Sequence, residues 1–446
     1  MVSMQSPFGK RSVQARSGHH RIPHLLAVEE RKPLPGAVNR GFITPPRKST
    51  GLFRKLLRFS LDHHAMGFYP FNMERQIQRA IEDDLKLKMV FISGPRQSGK
   101  TWLAKKILAK YPKSRYLNWD NSIDRDVILN QGWSVATDLL VLDEIYKMPQ
   151  WKGYLKGVWD TRPGGLKLLV TGSARLETFR QSGDSLAGRY FHHRLLPLCP
   201  AETARFGVKT DLERYMARGG FPEPFLAAKD ADAQRWRRQY LDGLIREDIL
   251  SFENITQLKA MNLLVELLRE RMASPVSYQG LSEDLGVAPN TVRRYIEILE
   301  ALYIVFRVYP HHRSIARALV QQPKVYFFDV PLVKGDRGAV LENLVALSVY
   351  RELCFLEDQD GIGRSLRYLR TKEGREVDFV AVKDERPTLM IEVKYAERRV
   401  SEQLRYFHER YACPGVQLVA DMRAEDESGS IKLRRAADWL EKPELE

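Results

Sequence analysis

Gly94-Pro95-Arg96-Gln97-Ser98-Gly99-Lys100-Thr101 fits the pattern G-x-x-x-x-G-K-[ST]. Met89–Ser93, directly before it, is a short apolar run of strand length, and Trp102–Ala109, directly after, has helical spacing. A strand, a glycine loop and a helix in that order make a phosphate cradle. The glycines let backbone N–H groups turn inward, and the helix N-terminus adds its own N–H groups and dipole. Lys100 then reaches the β- and γ-phosphates of a nucleoside triphosphate, and the Thr101 hydroxyl takes a place on Mg²⁺. All eight residues are nucleotide-binding candidates, with ATP and Mg²⁺ as the expected ligands. A glycine-rich turn that binds nothing is the alternative, and it leaves the flanking strand and helix unexplained.

Further along, Leu139-Leu140-Val141-Leu142-Asp143-Glu144 is a buried-strand pattern that ends in two acids. Ligands in open α/β sheets sit at the carboxyl edge of the strands, where such acids have work to do. Asp143 is the metal candidate beside Thr101, and Glu144, with Lys100, the catalytic candidate, orienting and deprotonating an attacking water. Leu168–Thr171 reads as a third strand, leading to Ser173 as a sensor of the γ-phosphate. Arg175 and Arg189 are the candidates for charge stabilisation in the transition state. No N/T-K-x-D element follows, which argues against GTP. Apolar strands of this length between helices indicate a buried parallel sheet, so residues 66–200 form an α/β domain.

The order Gly-Pro-Arg-Gln-x-Gly-Lys-Thr, Leu-Asp-Glu-Ile, Thr-Gly-Ser-Ala and Ala-Gly-Arg…Leu-Leu-Pro-Leu resembles a large group of prokaryotic AAA+-like P-loop ATPases. In those proteins a C-terminal domain of unassigned function follows the ATPase. The resemblance covers Met73 to Ala420 and implies ATP binding. A homo-oligomer in which one subunit lends an arginine to the next is the expected assembly.

Residues 201–320 are mainly helical. Gly280–Tyr295 has helix-turn-helix form: Gly286 ends one helix, Pro289 suits the first turn of the next, and Leu281, Leu285, Val292 and Ile296 repeat at core spacing. This is a winged-helix-like segment in which Asn290, Thr291, Arg293 and Arg294 sit where a recognition helix contacts DNA. A helical pair packed as a spacer or dimer contact is the alternative. Residues 321–446 return to strand-like alternation. Glu376–Lys383 and Leu389–Tyr395 flank Asp384-Glu385-Arg386-Pro387 and form a hairpin whose register sets Asp378 opposite Glu392, with Lys394 on the face of Glu392. Glu342 joins them from the preceding helix. This set resembles the D…E-x-K core of restriction-endonuclease-like domains, a mixed α/β fold in which carboxylates hold Mg²⁺ and a lysine positions water. Glu342, Asp378, Glu392 and Lys394 are thus nuclease-site candidates, with a cross-strand salt bridge as the alternative.

The 446 residues are 43% apolar and 28% charged, which excludes wholesale disorder, a collagen-like rod and a disulfide scaffold. The three cysteines, Cys199, Cys354 and Cys413, form no CxxC pair. Together with the lack of a membrane-spanning run, they point to a cytoplasmic setting without a membrane partner. The net charge is +15. Residues 1–65 hold twelve basic and three acidic side chains, residues 66–200 hold 21 and 13, and residues 201–446 hold 38 and 40. The first stretch reads as a disordered basic arm, a transit peptide, or sequence upstream of a start at Met66 or Met73. The excess otherwise sits with the phosphate loop, so contact with DNA must rest on local patches.

Overall fold

A computed structural model describes residues 74–173, 186–249, 258–312 and 322–445, except Arg398 and Arg423. All of them belong to one compact unit. The basic arm and Arg175 lie outside the described residues.

The N-terminal part is a five-stranded sheet in the order β2-β3-β4-β1-β5. The strands are β1 (Met89–Ser93), β2 (Ser114–Asn118), β3 (Leu139–Asp143), β4 (Lys167–Thr171) and β5 (Tyr190–Arg194), and every pairing is parallel. β1 and β3 are buried along their whole length, because helices cover both faces. On one face Ile81 of α1 (Gln78–Asp84) packs with Leu103 and Ile107 of α2 (Lys100–Leu108). On the other, Ile128 of α3 (Ser122–Leu129) packs with Trp151, Leu155 and Val158 of α4 (Trp151–Thr161). Parallel pairing brings the carboxyl ends of β1, β3 and β4 together. This α/β domain is the one expected around Gly94–Thr101.

The helices α5 (Pro200–Ala204), α6 (Leu212–Arg218), α7 (Pro222–Leu226), α8 (Asp230–Gly243), α9 (Leu258–Glu270), α10 (Tyr278–Leu285) and α11 (Pro289–Ala301) follow. Ser277 caps α10 by accepting from the Gly280 N–H, and Gly286 ends it at φ 65. Pro289 opens α11, whose Val292, Ile296 and Leu299 are buried. The antiparallel pair β6 (Val305–Pro310) and β7 (Lys324–Phe327) continues from α11. α12 (Arg337–Asp360) comes next, then β8 (Arg364–Arg370), β9 (Glu376–Lys383), β10 (Arg386–Lys394), α13 (Glu402–Tyr411), β11 (Gly415–Val419), β12 (Asp426–Ser428), β13 (Ile431–Arg435) and α14 (Ala436–Glu441). These strands form one eight-stranded sheet, β12-β13-β11-β10-β9-β8-β6-β7. A single apolar core runs from Leu196 to Leu445, so the helical middle and the C-terminal sheet are packed as one body.

The β9–β10 hairpin turns on two residues, Asp384 and Glu385, both at positive φ (44 and 62). Two-residue hairpin turns of this hand match the twist of the strands. The turn pairs Arg386 with Lys383 and Pro387 with Val382. Continued unchanged, that register would set Asp378 against Ile391, on the wrong face. A shift at Thr388 moves the pairing by one residue, to Leu389 with Ala381 and Ile391 with Phe379. Asp378 therefore comes beside Glu392, and one extra residue decides which side chains share a face.

Candidate active site

The phosphate loop is shaped by its glycines. Gly94 has φ 148, and a Cβ there would lie 2.2 Å from the Leu195 carbonyl oxygen, so no other residue fits. Gly99 turns at φ 96 into α2. Gln97 adopts φ 60 without being glycine. Its side chain is held: Trp236 Nε1 on α8 donates to Gln97 Oε1 at 2.6 Å, and Tyr240 donates to the Arg96 carbonyl at 3.2 Å. Trp236 and Tyr240 stack at 4.6 Å. Behind the loop, Arg75 is buried and donates to the Ser98 and Leu196 carbonyls, each at 2.7 Å.

Lys100 is buried and donates to the Gly94 and Pro95 carbonyls at 2.9 and 2.6 Å. Burial pushes its ammonium down to about 8, with Glu144 and Asp143 opposing. Thr101 is the second residue of α2, and its hydroxyl donates to Asp143 Oδ2 at 2.9 Å. Asp143, at the buried end of β3, also accepts from Tyr116 and Thr171, both at 2.6 Å. A carboxylate oriented by three hydroxyls, one of them Thr101, is a donor set suited to Mg²⁺. Glu144 follows at φ 59, and its carboxylate accepts from Tyr146. The Tyr146 hydroxyl also meets Ser173 Oγ at 2.6 Å. Ser173 is thereby joined to Glu144 across the ends of β3 and β4. Burial, then the Glu144 charge, raises the Tyr146 hydroxyl well above its ordinary value, so it remains a donor.

Arg189 does not join this group. It precedes β5, where its carbonyl accepts from the Met89 N–H, so it lies at the amino edge of the sheet, opposite the loop. Its guanidinium is bidentate on Asp160, at 2.9 and 3.1 Å. Within one chain it cannot reach the phosphates.

Sequence reasoning missed Tyr116, Tyr146, Trp236 and a buried ion-pair triad. Glu202 Oε1 accepts from Arg75 Nε at 2.7 Å, and its Oε2 lies 2.8 Å from Arg351 Nη2 on α12. Farther along α12, Asp358 pairs with Arg194 of β5 at 2.7 Å. α12 is thus tied to both the phosphate loop and the edge of the five-stranded sheet. At 24 residues it spans about 36 Å.

The C-terminal candidates are brought close together. Lys394 Nζ is 2.8 Å from Glu392 Oε1, and Asp378 accepts from the Val393 N–H at 2.8 Å. Glu342 accepts from Tyr326 at 2.7 Å. Burial, then the Asp378 charge, raises Glu342 and Glu392, and burial raises Asp378 itself. Lys324, which the sequence reading left unassigned, also enters the pocket. Among the described residues no three His, Cys, Asp or Glu side chains converge to hold a metal. Asn290, Arg293 and Arg294 are exposed on α11 and Thr291 is half-buried, all apart from both clusters; Arg293 lies 5.2 Å over the Tyr278 ring.

The sheet, loop, lysine and strand-end acids form an α/β P-loop domain, and residues 86–204 match the family model described as an AAA domain. Residues 209–335 and 337–432 match two domains of unknown function, DUF8612 and DUF4143. An uncharacterized protein of Mycobacterium tuberculosis is 25% identical over 320 residues, covering 70% of this chain and 71% of that one. Another, from Methanocaldococcus jannaschii, is 24% identical over 419 residues, covering 79% and 85%. Among solved structures, a Walker-type ATPase of Pyrococcus abyssi is 13% identical at a TM-score of 0.39, covering 58% of this chain and 94% of its own. RuvB of Thermotoga maritima is 15% identical at 0.28, covering 52% and 88%. These structural overlaps are too slight to bear on function. Among the described residues no helix is long and apolar enough to cross a membrane.

Proposed function

We propose that the chain binds ATP with Mg²⁺ and hydrolyses it at the carboxyl edge of β1, β3 and β4. One observation carries this reading: Lys100, Thr101, Asp143, Glu144 and Ser173 come from three separate segments and meet at one edge. Mg²⁺, held by the Thr101 hydroxyl and through water by Asp143, would supply a Lewis acid to the phosphate oxygens. Lys100 faces the β- and γ-phosphates and offsets their charge. Glu144 orients a water for in-line attack and accepts its proton, and Tyr146 fixes the carboxylate meanwhile. Ser173 meets the γ-phosphate and connects it to Glu144 through Tyr146. The arginine comes from Arg175, or from Arg189 of a neighbouring copy in a homo-oligomer. Phosphate release that requires Mg²⁺ and is lost in Lys100→Ala tests this. ATP binding without turnover would reduce the chain to a nucleotide-switched binding module.

The α9–α11 helices with the β6–β7 hairpin support a winged-helix-like reading, and DNA is its expected ligand through Asn290, Thr291, Arg293 and Arg294. The hairpin register, with the E-x-K strand, supports a restriction-endonuclease-like fold for residues 321–446. An ATP-gated nuclease is the weaker reading, because the carboxylates do not converge on one metal position. The boundaries at 200 and 320, and a cytoplasmic location, belong to the same proposal.

A further inference from the structure

The C-terminal pocket contains more acid than the hairpin alone contributes. Glu342 comes from α12, Glu376 and Asp378 from β9, and Glu392 from β10. Four formal negative charges meet in a largely buried space, and charge this dense requires a cation, a proton or both. Lys394 is the cation nearest Glu392, with its side chain 39% exposed. Lys324 is different. It is only 1% exposed, on β7, and belongs to neither strand of the hairpin. Its ammonium is 2.5 Å from Glu376 Oε1 and 3.7 Å from Glu342 Oε1. The Tyr368 ring closes over it at 5.3 Å. Tyr326, two residues along the same strand, donates to Glu342 and holds that carboxylate toward the lysine.

We propose that the Lys324 ammonium is the built-in cation of this pocket, standing where a restriction-endonuclease-like domain would hold its divalent metal, so that the C-terminal domain folds without a metal and does not cleave DNA. A buried lysine is a costly way to fill space, and is retained only where acids surround it. Here Glu376, 2.5 Å from the ammonium, is its direct counter-charge. A metal arriving at Glu342 would have to displace that ammonium or lie beside it, which like-charge repulsion opposes. The expectation of a metal rests on the restriction-endonuclease-like reading. The ion pairs around Lys324 stand without that reading, and neither depends on ATP hydrolysis.

The test is Mn²⁺ binding to the full chain without nucleotide, followed by electron paramagnetic resonance and by thermal melting. A Thr101→Val background keeps the phosphate loop from contributing. Lys324 unchanged should give no saturable Mn²⁺ site and a melting temperature indifferent to Mn²⁺ or chelator. Lys324→Met should melt lower, and Mn²⁺ should restore part of the loss, because an ion that binds only the folded state raises the melting temperature. Adding Asp378→Asn should remove that rescue. Saturable Mn²⁺ binding with Lys324 in place, lost in both Asp378→Asn and Glu392→Gln, would overturn the proposal. So would a folded Lys324→Met that melts like its parent and ignores Mn²⁺. If Lys324→Met does not fold with or without Mn²⁺, the titration with Lys324 in place decides. DNA cleavage with Mn²⁺ that disappears in Asp378→Asn would refute the non-cleaving part directly.

Discussion

Glu202→Gln should be among the most damaging isosteric changes in this chain. The Glu202 and Arg75 side chains are wholly buried and that of Arg351 is 5% exposed. Glu202 Oε1 accepts from Arg75 Nε at 2.7 Å and from the Gln76 N–H at 2.9 Å, while Oε2 faces Arg351. Glutamine retains an acceptor for one of these groups and leaves two buried guanidiniums without a counter-charge. Breaking a buried pair from one side costs about 3–5 kcal/mol. Burial raises the Glu202 carboxyl, but Arg351 and Arg75 outweigh it and hold the group below its ordinary range. A carboxylate with a depressed native pKa stabilises above its unfolded pKa, and that contribution is lost as pH falls through the native value. Wild type and variant should therefore differ most near neutrality, and the difference should begin to shrink only below about pH 4, the ordinary carboxylate range. Because Arg75 also holds the Ser98 carbonyl, the same change should weaken binding of a fluorescent ATP analogue several-fold. Urea unfolding followed by tryptophan fluorescence, with Arg79→Ala at the exposed Arg79–Glu74 pair as control, measures the effect. A Glu202→Gln midpoint matching that control at pH 7 would refute the reasoning.

Lys100→Met should stabilise the nucleotide-free chain by roughly 3 kcal/mol at pH 7, since holding an ammonium at about 8 instead of 10.5 costs that much. In wild type, by the same linkage, stability should rise with pH between those two values. Calorimetry at pH 7 and pH 10 checks both. Raised native pKa values at Glu342, Asp378 and Glu392 mean that the folded state holds protons the unfolded chain releases, so their contribution is lost as pH rises through the native values. Glu342→Gln should flatten the fall in melting temperature between pH 5 and 8. Trp236→Phe removes the donor to Gln97 while keeping a ring in the stack; it should weaken ATP binding and leave melting nearly unchanged, as read by titration and scanning fluorimetry. Tyr146→Phe unties Glu144 from Ser173 and should lower turnover about tenfold or more at unchanged ATP affinity, because it disturbs positioning and not binding.

Local pattern revealed the elements that carry their own signal. Met89–Ser93 and Glu376–Lys383 appear with the ends the alternation implies, and the helix after the phosphate loop begins within two residues of its expected start. β5 was not anticipated. Its residues, Tyr190-Phe191-His192-His193-Arg194, form an edge strand whose two histidines meet Ser93 and Asp84, so apolar periodicity is weak there. The pairing of Asp378 with Glu392 was anticipated from a turn centred near Glu385, yet it holds only because of the register shift at Thr388. The loop glycines, Lys100 and Asp143 were legible because phosphate chemistry fixes their spacing. Arg75, Glu202 and Arg351 were not, since ion pairs across 127 and 149 positions leave no trace in local pattern. Lys324 lies in a stretch whose alternation reads only as strand-like, and tertiary packing alone sets it among acids drawn from α12 and β9.

The claim that this fold works as an ATPase is tested most directly by phosphate release from ATP, with and without Mg²⁺, by the wild type, Lys100→Ala and Glu144→Gln. The account predicts Mg²⁺-dependent release by wild type and a loss of about a hundredfold or more in both variants. Lys100→Ala should also lose ATP binding, and Glu144→Gln should keep it. Hydrolysis that continues unchanged in Lys100→Ala would contradict the account.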